Sequence, residues 1–221
     1  MARHYSAPQR AEQARATRAR IVGAARDLLL GGSGYAGMTI TGLAEAAGVS
    51  PQTVYNSVGG KAEVIKAAYD TMLAGDEDTV PMSQRPEFRR VTEATDVPSY
   101  AAAYAAWVRV ISDRVGPLLG VLLAHGPGGD PVLENFVATI DGERRQGNTN
   151  SLRGLSGHGH LPPRRFDAAV DAVWTLTAPE VYDRLVRRSG WTSAAYERWL
   201  TTQLAATLSA FGSSGDARPA G

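Results

Sequence analysis

Gln52, Tyr55 and Asn56 stand at the i, i+3 and i+4 spacing that gathers three side chains on one helix face, with Val54 opposite them. The amides of Gln and Asn can pair bidentately with adenine, and Tyr and Thr hydroxyls commonly hold phosphates. A core has no use for such a face, so the chemistry it points to is recognition of a DNA duplex. The residues around it are those that would position it. Ser50 suits an N-cap, Pro51 the first helical position where its missing N–H costs nothing, and Val49 can staple onto Val54. Ala44, Gly48, Val49 and Val54 follow the order of a helix-turn-helix: a small residue at the crossing, a glycine for the left-handed turn, and branched residues pinning the second helix. The second helix then keeps one face for the major groove. Thr39 repeats the capping device one helix earlier, between Met38 and Leu43, and Thr39 and Thr41 are further candidates for phosphate contact.

The 221 residues suffice for a sizeable core, and the net charge of +1 averages unlike regions. Residues 1–27 carry Arg3, Arg10, Arg15, Arg18, Arg20 and Arg26 against Glu12 and Asp27, a local charge of +4, whereas residues 70–78 carry Asp70, Asp76, Glu77 and Asp78 with no basic residue. Beside a helix-turn-helix, the basic front end is expected to touch phosphates, with Arg15 and Arg18 as candidates. The absence of cysteine excludes disulfides, thiolate zinc sites and cysteine nucleophiles. No apolar run reaches the roughly 18–20 residues of a membrane span, and MARHYSAPQRAEQARA lacks the apolar centre of a secretory signal. A cytoplasmic protein without membrane contact is expected.

Apolar periodicity predicts a helix from Arg15 to Leu30, the two helix-turn-helix elements, and a fourth helix from Lys61 to Ala74. The proline-bearing stretch 75–97 reads as a linker. Tyr100 to Val115 predicts a long helix stopped by Pro117, followed by the short apolar run Leu118–Leu123 and the turn HGPGGDP. Val132 to Ile140 predicts another helix, and the glycine-rich, polar stretch 142–160 a fraying end or loop. Further helices start at Phe166, at Pro179 and at a Thr192 cap, the last running to Phe211. No strand pattern occurs. The expected fold is all-α: a flexible basic arm (1–14), a three-helix DNA-binding domain (15–60), an antiparallel helical bundle for ligand and dimer contacts (61–211) and a disordered tail (212–221), with about nine to ten helices in all.

Residues 15–70 resemble the tetracycline-repressor (TetR) family of regulators. The resemblance is carried by T-I-x-x-L-A-x-x-A-G-V-S at Thr39–Ser50, then Thr53-Val54-Tyr55, then the lysine Lys61. The stretch from Ala172 to Leu208, with W-T-L-T-A-P-E-V-Y, G-W-T and Y-E-R-W-L, is similar to one type of that family's sensor half, while 75–160 matches nothing specific. The resemblance implies that Thr53, Tyr55 and Lys61 clamp the DNA backbone, with Lys61 aided by the helix N-terminus it occupies. Two departures stand out: Val58 where the family usually has an aromatic residue, and Gly59-Gly60 where it usually has a serine cap.

Other chemistry fails on the residues. SVGGKA would need a glycine at Tyr55 and a hydroxyl at Ala62 to cradle phosphates. His158 and His160 lack a partner at metal-ligand spacing, Ser156 lacks a nucleophile elbow, and His125 precedes a turn. No catalytic residue, metal or cofactor is therefore expected. Tyr104, Trp107, Ile111, Leu122, Phe136, Trp174 and Tyr182 are first of all core, and as a group the candidate lining of a pocket for a small apolar or aromatic effector. The reading is a homodimeric repressor that leaves its operator when that effector binds, dimerised through 164–177 and 193–211. Two alternatives stand beside it: a constitutive DNA-binding or recruiting protein of the same fold, and an all-α small-molecule carrier or enzyme.

Overall fold

The computed structural model of the chain describes residues 7–32, 34–75, 84–124 and 130–212. Arg3, the acidic residues Asp76, Glu77 and Asp78, His125 and all but the first residue of the 212–221 tail lie outside the described residues. The described residues form helices and no strand, so the fold is all-α. They belong to two compact units, one from 1–77 and 117–137, the other from 78–116 and 138–221.

The first unit holds α1 (Ala7–Leu30), the single turn α2 (Gly34–Gly37), α3 (Ile40–Ala47), α4 (Pro51–Ser57) and α5 (Lys61–Ala74). Ile21, Val22, Ala25 and Leu29 of α1 are buried, as are Leu43, Ala44, Val54, Val64, Ile65 and Ala68. These are the positions that helical periodicity assigns to the core. Helix α1 begins at Ala7, earlier than the apolar pattern indicates. Its first turns are exposed, and their alanine, glutamine and arginine content favours helix without a buried face to announce it.

The remaining helices are α6 (Pro86–Thr92), α7 (Val97–Ala124), α8 (Pro131–Gly157), α9 (Phe166–Leu176), α10 (Pro179–Tyr182) and α11 (Ser193–Gly212), with a π-helical turn at Asp183–Arg188. The division between units falls within α7, after Gly116, and within α8, after Val137. The second unit's core includes Tyr100, Tyr104, Trp107, Leu152, Leu155, Val170, Val173, Tyr196, Leu200, Leu204 and Leu208.

Several expectations need correction, the first being that part of the expected 75–97 linker is the helix α6. Pro117 does not stop α7, because Leu118, Leu119 and Leu122 beyond it are buried on one face and hold the helix on course. The 142–160 stretch is helical as far as Gly157. Its inward stripe is Ile140, Asn148, Ser151, Leu152 and Leu155, and the two polar members find tyrosine partners inside the unit. Leu204 and Leu208 of α11 are each 0% exposed within the single chain, so they serve its own core and are not open to a second copy.

Candidate nucleic-acid interface

Local chemistry builds the α3–α4 pair. Thr39 is extended (φ −110°) and its Oγ1 accepts the Gly42 N–H at 3.1 Å, starting α3. Gly48 closes α3 in the left-handed region (φ 63°), which costs glycine nothing, and the Val49 N–H returns to the Ala44 carbonyl at 2.9 Å. Ser50 Oγ accepts the Thr53 N–H at 3.1 Å and lies 2.8 Å from Thr53 Oγ1. Pro51 opens α4, and Val54 is fully buried.

The opposite face of α4 is open. Tyr55 is 53% exposed, and Gln52 and Asn56 are exposed beside it, linked by Gln52 Nε2 donating to Asn56 Oδ1 at 2.9 Å. Each amide thus keeps a donor or acceptor for an outside partner while its neighbour limits its rotamers. Thr53 is half-buried and shares its hydroxyl with Ser50. Thr39, Thr41, Pro51 and Arg15 are exposed. Arg18 has a structural bond: its Nη1 donates to the Ser57 carbonyl at 2.8 Å, tying α1 to the last turn of α4.

Lys61 opens α5 behind a glycine cap that offers no side-chain hydrogen bond. Gly59, the other glycine of that pair, adopts φ 127°, and a Cβ there would meet Glu63 Cβ and Cγ at 2.8 Å, so the chain needs glycine at this turn. Lys61 Nζ donates to the Tyr35 carbonyl at 3.0 Å and lies 3.9 Å from the centroid of the Tyr35 ring. The Tyr35 hydroxyl in turn donates to Asp130 Oδ2 at 2.5 Å, while Asp130 Oδ1 accepts the Val132 N–H at 2.9 Å and starts α8. Burial, and secondly the Asp130 carboxylate, push the Tyr35 hydroxyl above its ordinary pKa. Asp130 is held below the ordinary carboxylate range, first by the Tyr35 hydroxyl and then by backbone N–H groups.

Sequence reading missed Tyr35 and Asp130 as parts of this site. The D-P-V-L order at Asp130 was a usable N-cap signal, whereas nothing near Tyr35 announced a partner 95 residues away.

The seven candidate effector residues divide between the units. Tyr104, Trp107 and Tyr182 are buried and Ile111 and Trp174 half-buried in the second unit. Leu122 and Phe136 are buried in the first, where Phe136 meets the Tyr69 ring edge-on at 5.6 Å. His160 Nε2 lies 2.8 Å from the Thr95 carbonyl, and the Ser156 hydroxyl donates to the Leu161 carbonyl at 3.2 Å. Among the described residues no group of three or more His, Asp or Glu side chains could hold a metal ion, and no helix is long and apolar enough to cross a membrane.

No protein-family model and no curated protein matches the chain. Solved structures that share its fold include two regulators. A transcriptional regulator from Rhodococcus sp. Rha1 is similar with a TM-score of 0.52 and 17% identity, over 88% of this chain and 95% of that one. A proposed fatty acid metabolism regulator from Clostridium perfringens is similar with a TM-score of 0.56 and 14% identity, over 85% of this chain and 97% of that one. The architecture is thus one that transcriptional regulators use.

Proposed function

We propose that the chain is a TetR-type transcriptional regulator, a homodimer that binds operator DNA through α4 and leaves it when a small molecule occupies the second unit. The observation that carries the reading is the two-faced α4. Val54 pins one side while Gln52, Tyr55 and Asn56 stand in solvent on the other, with an exposed tyrosine that has no structural purpose. Gln52 and Asn56 read base edges; Thr53, Tyr55, Lys61, Thr39, Thr41 and Arg15 hold phosphates; Ser50, Pro51 and Arg18 position the helix. Tyr104, Trp107, Ile111, Trp174 and Tyr182 line the effector site. The fold shared with two regulators favours this reading over an enzyme or carrier.

The test is selection of binding sequences from a random duplex library, followed by titration of the winner with and without candidate ligands. Acyl compounds belong in that panel, given the role of the Clostridium protein. A two-fold operator with half-sites about one helical turn apart is the expected product. The effector should change operator affinity by about 5–150-fold, and operator should weaken effector by the same factor. Failure to bind any duplex overturns the reading, and binding that no ligand alters leaves a constitutive DNA-binding protein.

A further inference from the structure

Lys61 is half-buried at the start of α5, behind a glycine cap that supplies no side-chain hydrogen bond. Two parts of one residue fix its ammonium group. The Tyr35 carbonyl accepts a hydrogen bond from Nζ at 3.0 Å, and the centroid of the Tyr35 ring lies 3.9 Å from the same atom. A lysine head on four methylenes ordinarily samples many rotamers. Here one side of it is occupied, and two N–H donors are left for the other.

The ring is itself held. Tyr35, on α2, is 4% exposed, and its hydroxyl donates to Asp130 Oδ2 at 2.5 Å. The other oxygen of that carboxylate accepts the Val132 N–H at 2.9 Å, so the first turn of α8 fixes Asp130. All three residues lie in the first unit. A carboxylate thus stands at the hydroxyl end of the phenol and an ammonium on its face. A phenol that donates to a carboxylate gains electron density in its ring, and a richer ring face holds a cation more firmly. From this chain of contacts we infer that Tyr35 and Asp130 are positioning residues for the phosphate contact of Lys61, ordering its ammonium before DNA arrives so that binding need not. The inference rests on the DNA-binding reading above and adds to it two residues that act through Lys61.

Two simpler roles make different predictions. If the Asp130 carboxylate were only a negative charge near the duplex, its removal would tighten binding. If the Tyr35–Asp130 bond were only a brace of the fold, its loss would weaken binding with or without Lys61. A pair that acts through Lys61 matters only while Lys61 is present.

The test is a double-mutant cycle on the full-length protein. Tyr35→Phe keeps the ring and the carbonyl and removes the hydroxyl. Asp130→Asn keeps an oxygen to cap α8 and removes the charge. Each is made in the wild-type protein and in Lys61→Ala, and binding to the selected operator and to an unrelated duplex is followed by fluorescence anisotropy. In the wild-type background each should weaken both duplexes alike, about two- to tenfold. In the Lys61→Ala background neither should change affinity. Thermal melts verify that the variants fold, and if one does not, the other carries the cycle.

A second readout contains no DNA. Lys61 and Lys66 are the only lysines in the chain, so lysine-selective carbon-13 labelling gives two ε-methylene signals, assigned with Lys61→Ala. The Lys61 signal should carry an upfield ring-current shift that both substitutions reduce. Tighter binding by Asp130→Asn, equal losses with and without Lys61, wild-type affinity in both variants, or an unmoved Lys61 signal in both overturns the inference and leaves the DNA-binding reading intact. Wild-type protein that binds no duplex overturns that reading itself.

Discussion

The ammonium group of Lys61 lies over the Tyr35 ring, 3.9 Å from its centroid, and gives one of its three N–H donors to the Tyr35 carbonyl at 3.0 Å. A lysine read from sequence as a phosphate clamp is thus also a bolt between α2 and the start of α5. Its two remaining donors are enough for a phosphate, and the ring beneath restricts where the charge can stand.

Lys61→Ala should therefore weaken every duplex alike and reduce the slope of log affinity against log salt by about one unit, the signature of one lost phosphate contact. Anisotropy titrations from low to high salt, on cognate and unrelated duplexes, measure both quantities. A change in base preference instead would show that Lys61 reads sequence.

Gln52→Ala should do the opposite. It removes the amide proposed to read a base and frees Asn56 Oδ1 from its 2.9 Å bond. The cost on the cognate site should be about 1–3 kcal/mol, with relaxed preference at one base pair and an unaltered salt slope. Competition among operators altered at single positions locates that base pair, and uniform loss at all positions would contradict the assignment.

The Tyr35–Asp130 bond gives the protein an acid-sensitive element. Asp130 titrates below the ordinary carboxylate value in the folded state, so its contribution is fully present above about pH 3.9 and is lost as pH falls through the lower folded value. Asp130→Asn should flatten the dependence of thermal midpoint on pH in that acidic window and leave it parallel to wild type near neutrality. Equal slopes for both proteins below pH 4 would show that the bond does not couple to folding.

The proposed dimer contact through α9 and α11 would have to use the faces that the single chain leaves open. Leu204 and Leu208 are consumed by the chain's own core, so Leu204→Asp should unfold the second unit and reveal nothing about association. Thr202 and Ala206, exposed one turn apart on α11, are better probes. The double variant Thr202→Arg, Ala206→Arg should retain helicity and sediment as a monomer. A folded variant of dimer mass would move the interface elsewhere.

What the amino-acid order alone determined is the short-range part of the structure. The caps at Thr39 and Ser50, the left-handed turn at Gly48, the proline start of α4 and the outward set Gln52, Tyr55 and Asn56 all depend on neighbours within a few residues, so they can be read in place. Exposed helix without a pattern was illegible for a related reason: the first turns of α1 are helical by composition alone, and periodicity reports only buried faces.

Tertiary structure decided whatever depends on a distant partner. Asn148 and Ser151 looked like loop residues because polar groups are costly in a core unless they are met. What meets them are the hydroxyls of Tyr104 and Tyr100, 44 and 51 residues earlier in the chain. Pro117 looked like a stop because its lost hydrogen bond is a local cost. The buried Leu118, Leu119 and Leu122 outweigh it, and their burial is collective. The same separation hid Tyr35 and Asp130 from each other. Their contact exists only because the fold folds two distant segments into one unit, and no spacing rule links residues that far apart.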